Sequence, residues 1–551
     1  MRLRSLLVFF SFVICLSARA QPAEKNNFTR ADTLRGMLTP LRTCYDINYY
    51  HLDVRFDIKH KAISGSNLFK FTATQDFTKL QFDLYANLKV EKVLYKGQIL
   101  PYTREYNAVF ITFPQTITKG SRDEFTVYYS GKPTIAKKAP WDSGLVYTTD
   151  STGKAWVATT AEGNGASIWW PNKDHLSDEV DSMMISISVP TGLKDVSNGR
   201  LRKVTNLGNG FTRFDWFVSN PINNYDVAAN IGDYVHFSDT YNGLKGKLDL
   251  DYWVLPADLE KAKKHFAEGV KPMLQSFEYW FGPYPFYEDS YKLVETPYLG
   301  MEHQSAISYG NNFLNGYRGR DLSETGWGLK WDYIIVHESG HEWFGNSITA
   351  KDIADEWIHE SFACYSESLF VESQNGKQAA LEYLYGLKDD IENKRPIVGA
   401  YNVNDEGPQD MYNKGAVLLN MIRTMINDDE KWRSILHGLS STFYHKTVTY
   451  NDIVNYITGH SGLKLLPVFD QYLHYPGIPT LKLTANQGKV YCQWIADAKD
   501  FTMPVRIKVK GGPYQFITPG TQSAPVAIDG AASNDDIEVD TDNYYIKVFK
   551  Y

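Results

Sequence analysis

Residues 333–345 read Y-I-I-V-H-E-S-G-H-E-W-F-G, an apolar run followed by two histidines four positions apart. On a helix, His337 and His341 lie one turn apart on the same face, so both imidazoles can reach one metal ion at roughly 2 Å. Glu338 is about 100° further round the helix, where it can contact a water on that ion without being a ligand. H-E-x-x-H is a known zinc motif, and we therefore predict a zinc site here.

A third ligand is expected from a second helix downstream. In W-I-H-E-S-F-A, residues 357–363, Glu360 follows His341 by nineteen positions, a gap that lets the chain turn back and present a carboxylate to the same ion. This helix is predicted to end at Asn375-Gly376. Two histidines and one carboxylate leave the fourth position open to water, which is typical of a catalytic rather than a structural zinc site.

The pattern of apolar residues divides the chain into three parts. From Tyr45 to about Asn230 apolar and polar residues alternate, which indicates strands. After Pro256 the apolar residues recur at helical spacing up to about Tyr475, and alternation returns beyond it. We therefore predict an α+β multidomain chain with an N-terminal β domain (residues 21–235), a mainly helical catalytic domain (236–476) and a small β-sandwich-like C-terminal module (477–551).

Composition excludes several classes of protein. The chain has 551 residues, of which 43% are hydrophobic and 22% charged, as expected for a soluble globular protein of several domains. A net charge of −7 argues against nucleic acid as a partner. After the first twenty residues, no segment approaches a membrane span. Cys44, Cys364 and Cys492 lack metal-type spacing and are expected to be mainly buried thiols, with at most one disulfide.

The first twenty residues have the pattern of an export signal. Arg2 and Arg4 precede the apolar run 6–16, and A-R-A at 18–20 places small residues where signal peptidase cleaves. The apolar run of eleven residues is too short to span a bilayer, so we favour a cleaved signal over a membrane anchor. The protein is expected to be exported to the periplasm or out of the cell.

These motifs resemble the M1 family of zinc aminopeptidases, whose signature joins H-E-x-x-H to a glutamate after eighteen intervening residues. L-G-M-E-H at residues 299–303 is similar to the family's G-x-M-E-N exopeptidase motif, and Y-N-K-G at 412–415 is similar to its Y-x-K-G segment. The segment from Tyr45 to Leu84 resembles the opening strands of its β domain. The resemblance implies a saddle-shaped β-sheet domain followed by a thermolysin-like catalytic domain.

The resemblance also implies a reaction. One Zn²⁺ ion, bound by His337, His341 and Glu360, would lower the pKa of a water molecule, and Glu338 would act as the general base. Tyr412 would donate its hydroxyl to the developing oxyanion. The product would be the N-terminal residue of a peptide.

Exopeptidase action requires recognition of the free α-ammonium group of the substrate, which a fixed carboxylate can provide. By resemblance, Glu302 supplies this carboxylate, and Gly300 and Met301 belong to the same substrate-binding segment. Glu162, in A-E-G-N-G, matches the place where relatives carry a second amine anchor. Peptides with a free N-terminus are therefore the expected substrates.

Two departures from the family pattern leave other interpretations open. Leu299 replaces the first glycine of the exopeptidase motif and His303 replaces the asparagine, and the large helical domain that closes the cleft in many relatives is expected to be missing, which would leave the site more open. His359 is expected to face solvent or pack near the site, and Asp355 to orient a ligand histidine or to stabilise a helix start. The alternatives are a zinc endopeptidase with a structural Glu302 and an inactive M1-like peptide-binding protein.

Overall fold

The computed structural model describes residues 28–551, so the predicted export signal at 1–20 lies outside the described residues. Two short helices, α1 (Arg30–Gly36) and α2 (Pro40–Thr43), precede the first sheet. The strands of this N-terminal part are β1 (Tyr45–Asp57), β2 (Ala62–Ala73), β3 (Phe77–Asp83), β4 (Leu88–Tyr95), β5 (Gln98–Leu100), β6 (Tyr102–Glu105), β7 (Ala108–Ile117), β8 (Arg122–Gly131), β9 (Gly144–Thr149), β10 (Ala155–Thr160), β11 (Ser182–Pro190), β12 (Lys194–Val196), β13 (Arg200–Asn206), β14 (Phe211–Val218) and β15 (Asn230–Gly232).

Most of these strands belong to an eight-stranded sheet of order β13-β14-β11-β1-β2-β8-β4-β5. Its central strand β1 pairs in parallel with β11 and antiparallel with β2. Leu52, Val54 and Phe56 on β1 are fully buried, because alternate side chains of a strand point to the same face. A four-stranded sheet of order β12-β15-β10-β9 carries the turn that contains Glu162.

The middle part combines a five-stranded sheet with eight helices. The sheet has the order β16-β17-β18-β20-β19, and β19 is therefore an edge strand. Its strands, with the small pair β21 and β22, are β16 (Val235–Gly243), β17 (Gly246–Val254), β18 (Tyr291–Glu295), β19 (Gly300–Met301), β20 (Ile307–Tyr309), β21 (Ile348–Ala350) and β22 (Lys446–Val448). The helices are α3 (Leu259–Phe281), α4 (Tyr333–Gly340), α5 (Trp357–Asn375), α6 (Lys377–Leu387), α7 (Asp410–Ile426), α8 (Asp429–Thr442), α9 (Tyr450–Ser461) and α10 (Leu466–His474).

The C-terminal part is a β module of two small sheets, with the orders β27-β24-β23-β29 and β26-β25-β28. Its strands are β23 (Thr480–Asn486), β24 (Lys489–Ile495), β25 (Val505–Val509), β26 (Gln515–Ile517), β27 (Val526–Ile528), β28 (Ile537–Val539) and β29 (Lys547–Lys550). Buried residues of this module, such as Leu481 and Leu483, belong to one continuous apolar cluster with those of the helices, such as Leu473. The module therefore shares its core with the helical part.

The predicted order of a β-rich part, a helical part and a second β-rich part agrees with these elements. The exact limits of the domains stay predictions. Cys44, Cys364 and Cys492 are buried free thiols, as predicted. Across residues 28–551, none of the helices combines the length and apolar character needed to cross a membrane.

Candidate active site

The H-E-x-x-H motif lies on α4, a helix whose first turn is fixed by Asp332. The Asp332 carboxylate accepts hydrogen bonds from the backbone N–H groups of Ile334 and Ile335, at 2.9 and 3.2 Å. Such an N-cap stabilises the start of a short helix. His337 follows in the last turn, and His341 caps the C-terminal end. Both imidazoles are buried, with their Nε2 atoms 3.4 Å apart.

The third predicted ligand comes from α5, which packs closely against α4. A Cβ atom at Gly340 would lie only 2.5 Å from Oγ of Ser366, so the two helices approach where α4 has no side chain. This packing brings Oε2 of Glu360 to 3.5 Å from Nε2 of both His337 and His341. The structure thus brings together the three side chains that the sequence predicted as ligands.

The arrangement of these three atoms fits a zinc ion. Tetrahedral zinc with bonds of about 2.1 Å requires ligand atoms roughly 3.4 Å apart, close to the separations found here. Oε2 of Glu360 is buried and has no hydrogen-bond partner within residues 28–551. Nδ1 of His341 lies 3.1 Å from the carbonyl oxygen of Phe344, which can only accept, so Nδ1 carries the proton and Nε2 keeps a free lone pair.

Glu367 contacts the other predicted ligand histidine, a role that was not predicted from the sequence. Its Oε1 lies 2.7 Å from Nδ1 of His337, and its Oε2 accepts a hydrogen bond of 2.6 Å from the Tyr383 hydroxyl. A carboxylate behind a ligand histidine fixes the ring and makes it a better donor to a metal. Glu367 follows Glu360 by seven positions, two turns along the same face of α5, and this spacing was the signal available in the sequence.

Glu338 lies against the edge strand β19, as the packing around Gly300 shows. A Cβ atom at Gly300 would lie 2.6 Å from Oε1 of Glu338, so the carboxylate occupies the space that a larger residue would fill. Burial raises the pKa of Glu338 to about 7, and the charge of Glu302 adds to the shift, while His337 opposes it. Atoms of Glu302, Glu338 and His341 lie within 4.8 Å of one another.

Tyr412 reaches the same site from the first turn of α7. Its hydroxyl donates a hydrogen bond of 2.8 Å to Oε1 of Glu360, and its ring stacks on His337. Gly415 makes this approach feasible, because a Cβ atom there would lie only 1.8 Å from Oγ of Ser361 on α5. The Y-N-K-G segment thus brings α7 into close contact with the helix that carries Glu360.

Glu302 is buried directly after β19, and its Oε1 has no hydrogen-bond partner among the described residues. Burial raises the pKa of Glu302, and Glu360 adds to the shift while His341 opposes it. Met301 is also buried, and its sulfur lies 3.9 Å from the Thr160 hydroxyl of the β domain. An unpaired buried carboxylate at this position is suited to binding a cation.

Glu162 extends from the turn after β10 toward the same site. Carboxylate atoms of Glu162, Glu356 and Glu360 lie within 4.8 Å of one another. The turn is held by Arg35 of α1, whose guanidinium donates to the carbonyl oxygens of Gly163, at 3.0 Å, and Asn164. Burial raises the pKa of Glu162 well above its usual value, and the nearby charges of Glu302 and Glu360 raise it further.

The two departures from the exopeptidase motif are accommodated in the core. Leu299 packs in the main apolar cluster. His303 is fully buried, its Nδ1 lies 3.0 Å from the Ser308 hydroxyl, and burial lowers its pKa to about 3, so the ring is neutral. The Ser308 hydroxyl lies 2.9 Å from that of Tyr298, which donates to the carbonyl of Thr159. His303 thus lies at one end of a hydrogen-bond chain that leads to the β domain.

His359 and Asp355 each depart from one of the roles expected for them from the sequence. His359 is buried rather than exposed, and its Nε2 accepts a hydrogen bond of 2.7 Å from the backbone N–H of Ala350. Asp355 does not orient a ligand histidine: it accepts hydrogen bonds of 2.7 Å from the Tyr401 hydroxyl and 2.9 Å from the backbone N–H of Tyr450. Glu367 performs that orienting role, because α5 turns it toward His337.

Comparison with known proteins gives one family match. Residues 266–472 match the model of the peptidase family M1 domain. Among curated proteins, Probable aminopeptidase 1 of Sulfurisphaera tokodaii is 22% identical over 92% of this chain and 63% of its own length. Leucyl aminopeptidase of Saccharolobus solfataricus is 22% identical over 81% of this chain and 55% of its own. Aminopeptidase B of Mus musculus is 23% identical over 49% and 42%.

The chain thus spans between 42% and 63% of the length of these three relatives. The M1 zinc metallopeptidase from Deinococcus radiodurans has a similar solved structure, with a TM-score of 0.66 and 20% identity over 79% of this chain and 94% of that one. A variant of that protein bound to a Tyr-Ser-Ala substrate matches with a TM-score of 0.64. The predicted family resemblance and the multidomain α+β fold are confirmed by these matches.

Proposed function

Because residues 266–472 match the model of the peptidase family M1 domain, we propose that the protein is a zinc-dependent aminopeptidase that releases the N-terminal residue of peptides. The observation that carries the proposal is the buried triangle of His337, His341 and Glu360, which lies beside the unpaired carboxylate of Glu302. A metal site next to a buried anion suits a substrate that presents a carbonyl to one and an ammonium group to the other.

The chemistry depends on one zinc ion held by the three ligands. When bound, zinc lowers the pKa of a water molecule and polarises the scissile carbonyl. Glu338 accepts the proton of the attacking water and returns it to the leaving amine. The Tyr412 hydroxyl, which contacts Glu360 in this structure, turns to the oxygen that becomes negative as the carbonyl is attacked.

A buried carboxylate, Glu302, and a half-buried one, Glu162, account for removal of a single residue. Glu302 and Glu162 bind the α-ammonium group of the substrate through charge-assisted hydrogen bonds, which are strong where water is excluded. A peptide with a blocked N-terminus leaves the buried charge of Glu302 without a cationic partner. Discrimination against blocked peptides is therefore expected to be large.

The test uses a matched pair of chromogenic substrates, an unblocked aminoacyl reporter and its N-acetylated form. The metal-loaded protein is expected to hydrolyse the first and refuse the second, and to contain one zinc ion per chain by elemental analysis. Glu338→Gln is expected to lower kcat by about 10²–10⁴-fold while keeping the zinc. Glu430→Gln, which removes an exposed surface carboxylate, serves as the control.

Each component of the proposal has an outcome that would contradict it. Equal turnover of both reporters, or cleavage inside blocked peptides, would show an endopeptidase instead. Unchanged turnover by Glu338→Gln would refute the assignment of the base. Protein that binds peptides without cleaving them when loaded with zinc would be an inactive M1-like binding protein.

We also propose that the protein acts outside the cytoplasm. The support is the sequence at residues 1–20, where two arginines precede an apolar run and a small-residue cleavage pattern. N-terminal sequencing of protein purified from the periplasm or medium of its host is expected to begin at or near Gln21. Recovery of the uncleaved chain from the cytoplasm would contradict this.

A further inference from the structure

A cavity of about 420 Å³ adjoins the site and is lined by more negative charge than the proposed reaction uses. Its wall includes Glu162, the proposed second amine anchor, and Tyr412, the proposed oxyanion donor. It also includes Glu356 and Glu406, which take no part in the mechanism described above. This volume is within the usual range for small-molecule pockets.

The position of the cavity identifies what would enter it. In the first residue of a peptide, the Cα atom lies between the ammonium group and the carbonyl group. If Glu162 binds the ammonium group and Tyr412 the carbonyl oxygen, the side chain leaves from a point between them. A cavity whose wall contains both residues is therefore the place for the side chain of the substrate's first residue.

The remaining charges of the cavity do not cancel. Arg395 also lines it, but its guanidinium forms an ion pair with Asp405 at 2.8 Å. Glu162 is neutralised by the substrate's ammonium group in the proposed function. Glu356 and Glu406 are left, and both are carboxylates without a cation assigned to them.

Glu356 is 5% exposed, and its only ion-pair candidate among the described residues is a histidine. Its Oε1 lies 3.1 Å from Nδ1 of His359. Because Nε2 of His359 accepts a backbone hydrogen bond, that nitrogen carries no proton and the ring is neutral. His359 therefore supplies no positive charge, and its Nδ1 makes no hydrogen bond within the described residues, so the negative charge of Glu356 is left in place.

Glu406 has neither a hydrogen bond nor an ion pair with any residue between 28 and 551. Its carboxylate lies beside the Glu162 turn, since a Cβ atom at Gly163 would be 2.8 Å from Oε2 of Glu406. The residue as a whole is exposed to solvent, but partial desolvation of its carboxylate by the cavity wall raises the pKa of Glu406 to about 7, and repulsion from Glu356 and Glu360 contributes. A positive group in the cavity would relieve this repulsion.

We propose that Glu356 and Glu406 form a recognition site for a basic side chain, so that the preferred substrates are peptides with lysine or arginine at the N-terminus. The inference rests on the proposed aminopeptidase function and adds its substrate class. A partly desolvated carboxylate pair binds an ammonium or guanidinium group more strongly than a solvated one does. An apolar side chain of similar length would leave the buried carboxylate of Glu356 without a counter-ion.

The test compares lysyl and norleucyl reporters, whose side chains share the same four-carbon chain and differ in the terminal ammonium group that lysine adds. The wild-type protein is expected to show a kcat/KM at least tenfold higher for the lysyl reporter. Glu406→Gln and Glu356→Gln are each expected to lower this ratio by about five- to tenfold, whereas Glu430→Gln on the surface keeps it. The inhibition constants of free L-lysine and L-norleucine give an independent readout, with lysine expected to bind more tightly.

The outcomes separate this inference from the proposed function. Cleavage of both reporters at equal rates, or preference for norleucine, would overturn the basic specificity and leave the aminopeptidase function intact. A wild-type ratio kept in both cavity variants would equally overturn it. Failure to cleave either reporter while another unblocked aminoacyl reporter is cleaved would also overturn the basic specificity, whereas failure to cleave any unblocked aminoacyl reporter would refute the function on which the inference rests. The wild-type comparison needs no variant, so a variant that fails to fold does not remove the test.

Discussion

Replacing Gly300 with alanine is expected to displace the proposed catalytic base without disturbing the ligands. Gly300 lies on the edge strand β19, and its backbone has no positive φ that would exclude alanine. The added methyl group would lie 2.6 Å from Oε1 of Glu338 and 2.9 Å from Cδ1 of Ile334. The carboxylate is the more mobile of the two, and it must give way.

The size of the effect follows from these distances. Ordinary contact begins at 3.4 Å, so the carboxylate must move by about 0.8 Å. A misplacement of about 1 Å at a reacting group costs roughly 10²-fold in rate, or about 2.7 kcal/mol. The contact with Ile334 adds an overpacking cost of about 1–3 kcal/mol to the free energy of unfolding. The zinc affinity is expected to stay the same, because none of the three ligands is among the atoms the methyl group contacts most closely.

The assay measures kcat/KM with an unblocked aminoacyl reporter, zinc content and urea unfolding on the same preparation. Gly459→Ala is the matched control: it lies inside α9 and a Cβ atom there contacts nothing within 4 Å. That variant is expected to keep its activity and gain up to about 1 kcal/mol of stability. A Gly300→Ala protein with wild-type kcat/KM would refute the reasoning, and so would one that loses its zinc.

Three further substitutions test how the site is supported. Glu367→Gln, which weakens the hydrogen bond to His337, is expected to lower zinc affinity by about 10–100-fold in competition with a chelator; unchanged affinity would show that Glu367 does not tune the ligand. Gly415→Ala would place a methyl group 1.8 Å from Oγ of Ser361, so we expect a loss of at least about 1–3 kcal/mol in urea unfolding and a lower kcat; a fully stable, active variant would contradict this. Arg35→Ala releases the Glu162 turn and is expected to raise KM several-fold with a smaller change in kcat, whereas a change in kcat alone would count against a role in substrate binding.

The sequence predicted the elements of the site whose geometry is local. His337 and His341 share a helix face by spacing alone. Glu360 lies beside these two histidines, as the motif predicted. Close packing of α4 and α5 at Gly340 brings it there.

Contacts between distant segments could not be predicted from spacing. Arg35 meets the Glu162 turn across 128 positions of sequence, which no periodicity reveals. Glu356 and Glu406 line one cavity only because α5 and the loop before α7 converge there. Asp355 shows that nearness in sequence can also mislead. It lies close to the predicted ligands along the chain, but its carboxylate binds Tyr401 and the start of α9 instead.

The shared core of the helical part and the C-terminal module has a consequence for how the chain unfolds. Lys388 at the end of α6 donates to the carbonyl of Asp542 at 2.9 Å, and Tyr472 of α10 donates to the carbonyl of Tyr545 at 2.7 Å. Apolar burial and these bonds couple the two parts, so we expect them to unfold cooperatively as one calorimetric unit. Truncation after α10 would therefore expose to water the helix surfaces that pack against the C-terminal module. A minimal catalytic fragment has to retain the C-terminal strands.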